Sequence, residues 1–474
     1  MKILYITSES TPFIKTGGLA DVAGSLPKAI KQKGHDIRVV MPLYSQISEA
    51  YKNKMKYIGY YYVDIGWMHR YCGIFEIKHD GVTYYFIDNE QYFNRNKLYG
   101  EFDDAERFIF FSKAVTILPK YLNFKCDVIH ANDWHSGLVP VYVNDFRIGD
   151  KFYKNVKTLY TIHNLKYQGI FDRSVFHMTG LPAGLMNFND LEFNNAISFM
   201  KAGIVHSTKF NTVSKTYAEE IKTQFFGEGL DKIVNFHSYK LSGIVNGLDY
   251  DVWNPKTDKN LVANYGVRTF EKKADNKLAL QKKYGLEKRE DVCLISMVTR
   301  LNSMKGLDLV RYIFEELIQE DIQFVVLGTG EHEYEEMFKY FEYKYPNKVA
   351  ARLYFSAEEA DLIYAASDLY MMPSIAEPCG ISQLIAMRYG AIPIVRETGG
   401  LKDTVEPFNQ YNNDGTGFTF ANVNAHELLF KTKEAINLFY DDKVRFNKII
   451  RKAMSSNFDW EKSSEEYINL YRNL

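Results

Sequence analysis

Glycine pairs and cations recur in this chain at the ends of apolar runs. Lys15-Thr16-Gly17-Gly18-Leu19-Ala20-Asp21 sets a lysine before two glycines at the mouth of a helical pattern. Glycine lets a backbone approach a ligand closely, and a helix N-terminus attracts an anion. Thr299-Arg300-Leu301-Asn302-Ser303-Met304-Lys305-Gly306 places two cations in one short connection. The guanidinium offers phosphate oxygens a fork, the ammonium a compact point charge. Ala376-Glu377-Pro378-Cys379-Gly380 then leads into a helix, with Glu377 placed to accept hydrogen bonds from sugar hydroxyls, and Glu397-Thr398-Gly399-Gly400-Leu401 repeats the glycine pair. Read together, these loops describe a diphosphate held between Gly17/Gly18 on one side and Arg300, Lys305 and the Gly380 and Thr398 helix starts on the other. A nucleotide diphosphate is the natural leaving group for such a site. Taken singly each loop also has a plain reading: a strand-to-helix turn with a solvated lysine, or a first-turn helix acid.

Two polar clusters, His130-Ala131-Asn132-Asp133-Trp134-His135 and Thr161-Ile162-His163-Asn164, stand at the ends of strand candidates. Either histidine can be a satisfied structural residue, and two clusters at equivalent strand ends favour function. His130 and His135 lack the helical i,i+4 spacing of an HExxH zinc frame, so no metal is expected. No Ser/His/Asp or Cys/His nucleophile set is evident. Cys379 sits at a helix start, where packing is favoured over a nucleophilic role. Neither Walker A nor GxGxxG spacing is present, which weighs against P-loop and dinucleotide chemistry.

Elements of α/β type must position these loops. Short β-branched runs alternate with amphipathic stretches, the pattern of βαβ units around parallel sheets. Strands are expected at Lys2 to Thr7, Asp36 to Met41, Val128 to Ala131, Thr158 to Ile162, Phe210 to Val213 and Ile244 to Val245, with a junction near Gly247. A second series is expected at Val292 to Val298, Phe324 to Leu327, Val349 to Leu353, Leu369 to Met372 and Ile392 to Val395, opened by a helix over Lys273 to Tyr284. Cys72 to His79 and Thr83 to Ile87, joined by Asp80-Gly81, read as a hairpin and an antiparallel insertion. Pro27 predicts a kink or late start in the first helix. Ligands of open α/β sheets bind beyond the carboxyl ends of the strands, so two facing domains would enclose one in a cleft.

The length of 474 residues fits two or three domains, and 25% charged with 46% hydrophobic residues fits a folded globular chain. Lys+Arg 58 against Asp+Glu 59 gives no basic field for nucleic acid or anionic lipid. Four widely spaced cysteines fit reduced thiols, and no apolar run is long enough for a spanning helix, so a cytoplasmic protein is expected. Aromatic residues reach 15%. Such rings could stack on sugar faces, but compositional drift explains them and no functional weight is assigned.

The motifs resemble those of glycosyltransferase family 5, the bacterial glycogen synthases and plant starch synthases. Similarity runs through Lys-Thr-Gly-Gly-Leu-Ala-Asp-Val at 15 to 22, Ala-Glu-Arg-Phe at 105 to 108, Asp-Trp-His at 133 to 135 and Thr-Ile-His-Asn at 161 to 164. It continues in Asn-Gly-Leu-Asp at 246 to 249, Trp-Asn-Pro at 253 to 255, Glu-Pro-Cys-Gly at 377 to 380 and Thr-Gly-Gly-Leu-Lys-Asp-Thr-Val at 398 to 405. The resemblance implies a GT-B fold of two Rossmann-like domains, over 1-246 and 247-458, with a helix in 459-474 crossing back to the first. It implies retaining transfer of glucose from ADP-glucose to the nonreducing 4-hydroxyl of an α-1,4-glucan, without a metal or other cofactor. Carried over by position, Arg300 and Lys305 neutralise departing ADP, Glu377 contacts the donor sugar, and Asp133 and His163 orient the glucose. The donor is further met by Lys15, Gly17, Gly18, Asp21, Asn246, Cys379, Gly380, Thr398 and Gly399. Ile375 and Ala376 depart from the Arg-Phe that commonly precedes Glu-Pro-Cys-Gly. Use of a UDP-sugar, or a noncatalytic glucan-binding role on the same scaffold, are the alternatives.

Overall fold

A computed structural model describes all residues, 1 to 474. The chain forms two compact units: Met1–Gly247 together with Trp460–Leu474, and Leu248–Asp459.

The first unit is built on a nine-stranded sheet. Its strands run, edge to edge, Leu241–Gly243, Lys209–Thr212, Lys157–Ile162, Val128–Asn132, Lys2–Ile6, Asp36–Pro42, Val82–Asp88, Met68–His79 and Lys56–Ile65. The first seven are mutually parallel, and the last two pairings, of Met68–His79 with its neighbour on each side, are antiparallel. The central strands are buried almost throughout, which is why they read as unbroken apolar runs rather than as alternation. The hairpin expected to be an insertion instead continues this sheet, because Val82–Asp88 pairs in parallel with Asp36–Pro42. Lys56–Ile65 escaped the sequence reading because a bulge at Tyr57/Gly59 breaks its period of two. The final strand lies at Leu241–Gly243 rather than at Ile244 to Val245, where the chain is already leaving the sheet.

The helix Gly18–Gln32 is continuous through Pro27, so the late start is not observed. Trp460–Arg472 forms a helix on the first unit, burying Trp460, Tyr467, Ile468 and Tyr471. Gly247 makes room for it: a Cβ there would lie 2.7 Å from the Trp460 ring.

The second unit has six parallel strands in the order Val349–Arg352, Ile322–Leu327, Cys293–Val298, Leu369–Met372, Ile392–Arg396 and Phe418–Phe420. Numbered within the unit this is 3-2-1-4-5-6, the doubly wound Rossmann order, whose winding reverses between strands 1 and 4. Lys273–Tyr284 is helical as the sequence indicates. Phe418–Phe420 was not anticipated, three residues being too few to show a period. All four cysteines are buried and unbridged, and no helix is long and apolar enough to cross a membrane.

Candidate active site

In the first unit the winding reverses between Lys2–Ile6 and Val128–Asn132, and the chain that follows each of these strands carries the polar residues. Glu9, which the sequence reading passed over, is nearly buried and accepts the N–H of Thr16 at 2.5 Å and its hydroxyl at 2.7 Å. It straps down the Lys15–Gly18 turn, and burial pushes its carboxyl upward. Lys15 Nζ pairs with Asp21 Oδ1 at 2.7 Å, so Asp21 serves as the counterion that positions the lysine. Gly17 is extended at φ −158 and offers the following helix no side-chain cap. A Cβ there would meet only Glu9 Oε1, at 3.7 Å. Nothing inside the unit demands glycine at 17, and the leading N–H groups of the Gly18 helix lack a side-chain acceptor, the arrangement that suits an anion.

Asp133 follows its strand with φ +52, a left-handed backbone unusual for a side chain other than glycine. That turn aims the carboxylate at the next strand end, where Oδ1 accepts the His163 N–H at 2.7 Å and the group also takes the Asn164 N–H. Burial outweighs these donors and raises the Asp133 pKa to about 7. His163 is pushed down to about 3 by burial and is therefore a neutral imidazole near pH 7. Its tautomer follows from its neighbours. Asn132 Nδ2 donates to the Ile6 carbonyl at 2.8 Å, which leaves Asn132 Oδ1 as the acceptor facing His163 Nε2 at 2.9 Å. The proton sits on Nε2, and Nδ1 keeps a lone pair for a hydroxyl donor. Asn246 is buried with its Oδ1 unpaired.

His130, left open between two readings, is structural. The Thr161 hydroxyl donates to Asn211 Oδ1 at 2.6 Å and so accepts from His130 Nε2, also at 2.6 Å; Tyr471 Oη then donates to Nδ1 at 2.8 Å. This chain of bonds fastens the C-terminal helix to the sheet.

A pH effect on stability follows from Asp133. Its unfolded pKa is near the ordinary 3.8 and its folded pKa is about 7. Between these values the folded chain holds a proton that the unfolded chain has released. The stability this contributes is complete below about pH 4 and is lost as pH rises toward and through 7. Asp133→Asn is expected to remove that slope, which can reach roughly 1.4 kcal/mol per pH unit for one proton. Urea unfolding at several pH values between about 4.5 and 7.5 measures it; equal slopes in the two proteins would assign the pH dependence to other groups.

In the second unit the loops after strands 1 and 4 interlock at the reversal of winding. Lys305 Nζ pairs with Glu377 Oε2 at 2.5 Å, and the Ser374 hydroxyl donates to the same oxygen at 3.1 Å. The Ile375 N–H donates to the Met304 carbonyl at 2.9 Å. Gly306 permits this approach: it has φ +73, and a Cβ would stand 2.0 Å from the Pro373 carbonyl oxygen. Arg396 donates to the Ser374 carbonyl at 3.0 Å and to that of Ile375, holding the loop from behind. Arg300 is exposed and points no bond at its own unit. Thr398 and Gly399 lie at the start of the helix that follows the next strand. Thr398 is fully buried and sends its N–H to the Arg396 carbonyl at 2.9 Å. A Cβ on Gly399 would fall 1.9 Å from the Glu377 carbonyl oxygen. The second glycine pair packs closely behind the Glu377 loop. Cys379 is buried in it and Gly380, at φ +75, turns it into the next helix.

Two Rossmann-like units, each with cation-bearing loops at its reversal of strand order, define a GT-B glycosyltransferase. The chain matches the family model described as starch synthase catalytic domain over residues 2–236 and that described as glycosyl transferases group 1 over 277–456. It is 55% identical to the glycogen synthase of Finegoldia magna and 50% identical to that of Lachnospira eligens, covering all of this chain and 100% and 99% of those proteins. Among solved structures, the catalytic domain of starch synthase IV from Arabidopsis thaliana, bound to ADP and acarbose, superposes with a TM-score of 0.92 at 32% identity, over 100% of this chain and 99% of that one. A sucrose-phosphate synthase from Thermosynechococcus elongatus, at 17% identity and TM-score 0.61 over 100% and 98% of the two chains, shares the fold. This chain belongs to the glycogen and starch synthase family of glycosyltransferases.

Proposed function

We propose that this chain is a glycogen synthase that transfers glucose from ADP-glucose to the nonreducing end of an α-1,4-glucan, with retention of configuration and no metal. The observation that carries the reading is the Lys305–Glu377 pair, held at 2.5 Å at the turning point of the second sheet. Cleavage of the bond from C1 to the phosphate oxygen puts negative charge on ADP and oxocarbenium character on the sugar. Arg300 and the anchored ammonium of Lys305 meet the first; fixed charges of this kind need no reorganisation when the bond breaks. In the second unit Glu377 is placed to accept from a sugar hydroxyl; in the first, the neutral Nδ1 of His163 keeps a lone pair for a hydroxyl, and Asp133 fixes the backbone that carries it. The relative bound to ADP and acarbose, a nucleotide and an oligosaccharide mimic, supports a nucleotide-sugar donor and a glucan acceptor.

A double displacement needs a carboxylate free to attack C1. Asp133 is bound to backbone N–H groups of residues 163 and 164, and Glu377 to Lys305 and Ser374. This favours attack on the face the diphosphate leaves, with a phosphate oxygen taking the proton of the acceptor hydroxyl. Trapping of a covalent glucosyl-enzyme on an aspartate or glutamate would overturn that step.

The test is ADP release from ADP-glucose with and without glycogen, repeated with UDP-glucose and with a chelator. Primer-dependent release from ADP-glucose, unaffected by chelation, is expected. Release from UDP-glucose alone would replace the donor, and no release from either would favour a noncatalytic glucan-binding role. Lys15→Ala is expected to raise the KM for ADP-glucose about tenfold, the equivalent of one charge-assisted hydrogen bond. An unchanged donor KM and kcat would remove Lys15 from the site.

A further inference from the structure

A buried amide lies beneath the Glu377 loop of the second unit. Gln383, in the helix Ser382–Arg388, is fully buried. Its Nε2 stands 3.2 Å from each of three oxygens: the Cys379 carbonyl, the Gly380 carbonyl and the Thr404 hydroxyl. Thr404 already donates its proton to the Gly400 carbonyl at 2.6 Å, so its hydroxyl accepts from Gln383. One amide hydrogen goes to Thr404, and the two carbonyls share the other. The same acceptors fix the orientation of the carboxamide, because an oxygen turned toward them would meet two carbonyl oxygens and no donor.

Gln383 Oε1 is then left without a partner. It lies beneath Gly380, 2.5 Å from where a Cβ would stand, and Gly380, at φ +75, has the left-handed backbone that favours glycine. An orphaned buried carbonyl is costly, and a methionine of similar length would fill the space without one. Packing alone therefore gives no reason for an amide at this position. The fold bears the orphan to keep the two N–H groups where they are.

What those groups do follows from the loop they hold. Arg396 takes the Ser374 and Ile375 carbonyls, and the Gly400 N–H lies 3.3 and 3.2 Å from those of Glu377 and Pro378. Gln383 takes the next two, those of Cys379 and Gly380. All of these carbonyls point back into the unit. In a planar trans peptide the N–H of the following residue points the opposite way, and the peptides here are trans. Holding the Cys379 and Gly380 carbonyls inward thus turns the Gly380 and Ile381 N–H groups outward, on the side of the loop away from Gln383. A flip of either peptide would present a carbonyl there instead, an acceptor where a ligand oxygen needs a donor.

We propose that Gln383 is a positioning residue for glucose transfer: through the Cys379 and Gly380 carbonyls it keeps two outward N–H donors aimed at the bound sugar nucleotide. Thr404 completes the device, since it takes one amide hydrogen, fixes the carboxamide plane and leaves the other hydrogen for the loop. The role rests on the donor reading above, in which the loop from Glu377 to Gly380 meets the sugar nucleotide.

Gln383→Met tests it, since methionine keeps the length of the side chain and loses both N–H groups. The kcat/KM for ADP-glucose should fall about tenfold, the effect of one misplaced hydrogen-bond donor, while the KM for glycogen and the Tm stay unchanged. Thr404→Val should reproduce the loss on the donor side, and Thr404→Ser, which keeps the hydroxyl, should not. An unchanged kcat/KM for ADP-glucose in Gln383→Met overturns the proposal. So does a fall matched by an equal rise in the KM for glycogen and a lower Tm, the mark of a packing role. If Gln383→Met does not fold, the threonine pair decides, and equal donor kinetics in Thr404→Val and Thr404→Ser overturn the assignment. Wild-type protein that transfers glucose no faster than a folded Gln383→Met loses this role alone; wild-type protein that releases nucleoside diphosphate from neither sugar nucleotide takes the donor reading with it.

Discussion

Lys305→Ala should lower kcat for glucose transfer by about 10² to 10³, or roughly 3 to 4 kcal/mol, with little change in the KM for glycogen. The reason is geometric. Glu377 holds the ammonium at 2.5 Å, and Gly306 lets the whole loop seat against Pro373. The positive charge is in place before the sugar leaves, so its loss falls on the transition state rather than on acceptor binding. Equal losses in kcat and glycogen affinity would show instead that the variant has disturbed the acceptor side. Circular dichroism and Tm separate this from misfolding: the side chain is partly exposed, and its removal leaves Glu377 the Ser374 hydroxyl as partner.

Glu377→Gln should cost a comparable factor, about 10², by a different route. The amide preserves shape and can still accept from Ser374, but it no longer fixes the charge of Lys305 and is a weaker acceptor for a sugar hydroxyl. Two quantities should therefore move together: kcat falls and the KM for ADP-glucose rises. A fall in KM with kcat unchanged would mean that the carboxylate repels the donor, contrary to the role given it here. The double variant Lys305→Ala/Glu377→Gln decides whether the two act as one unit. Its loss should be well short of the product of the single losses, as for residues in one hydrogen-bonded pair.

Much of this was legible in the sequence, and the reasons differ by residue. The parallel strands showed because both of their faces are covered, which gives runs of β-branched residues bounded by turns. Lys15, Gly17, Gly18, Arg300 and Lys305 stand out as candidates because connections at the carboxyl ends of strands have few reasons to hold cations and glycines together. What stayed hidden depends on pairing across long separations. Glu9 looks like any polar residue after a strand until its carboxylate is seen to hold Thr16. Asp21 as the partner of Lys15, and Arg396 behind Ser374, are contacts no local pattern encodes. The Glu377 carbonyl that makes glycine necessary at 399 is likewise a contact across a long separation. The Lys56–Ile65 strand stays hidden because a bulge interrupts its alternation.

In the proposed reaction Arg300 and Lys305 grip the diphosphate as the hexose departs. A crystal structure of the protein with ADP tests it most directly. The distal phosphate is expected within hydrogen-bonding reach of both side chains, with the Lys305–Glu377 contact retained. A diphosphate bound away from both, in a protein that still turns over in the crystal, would contradict it.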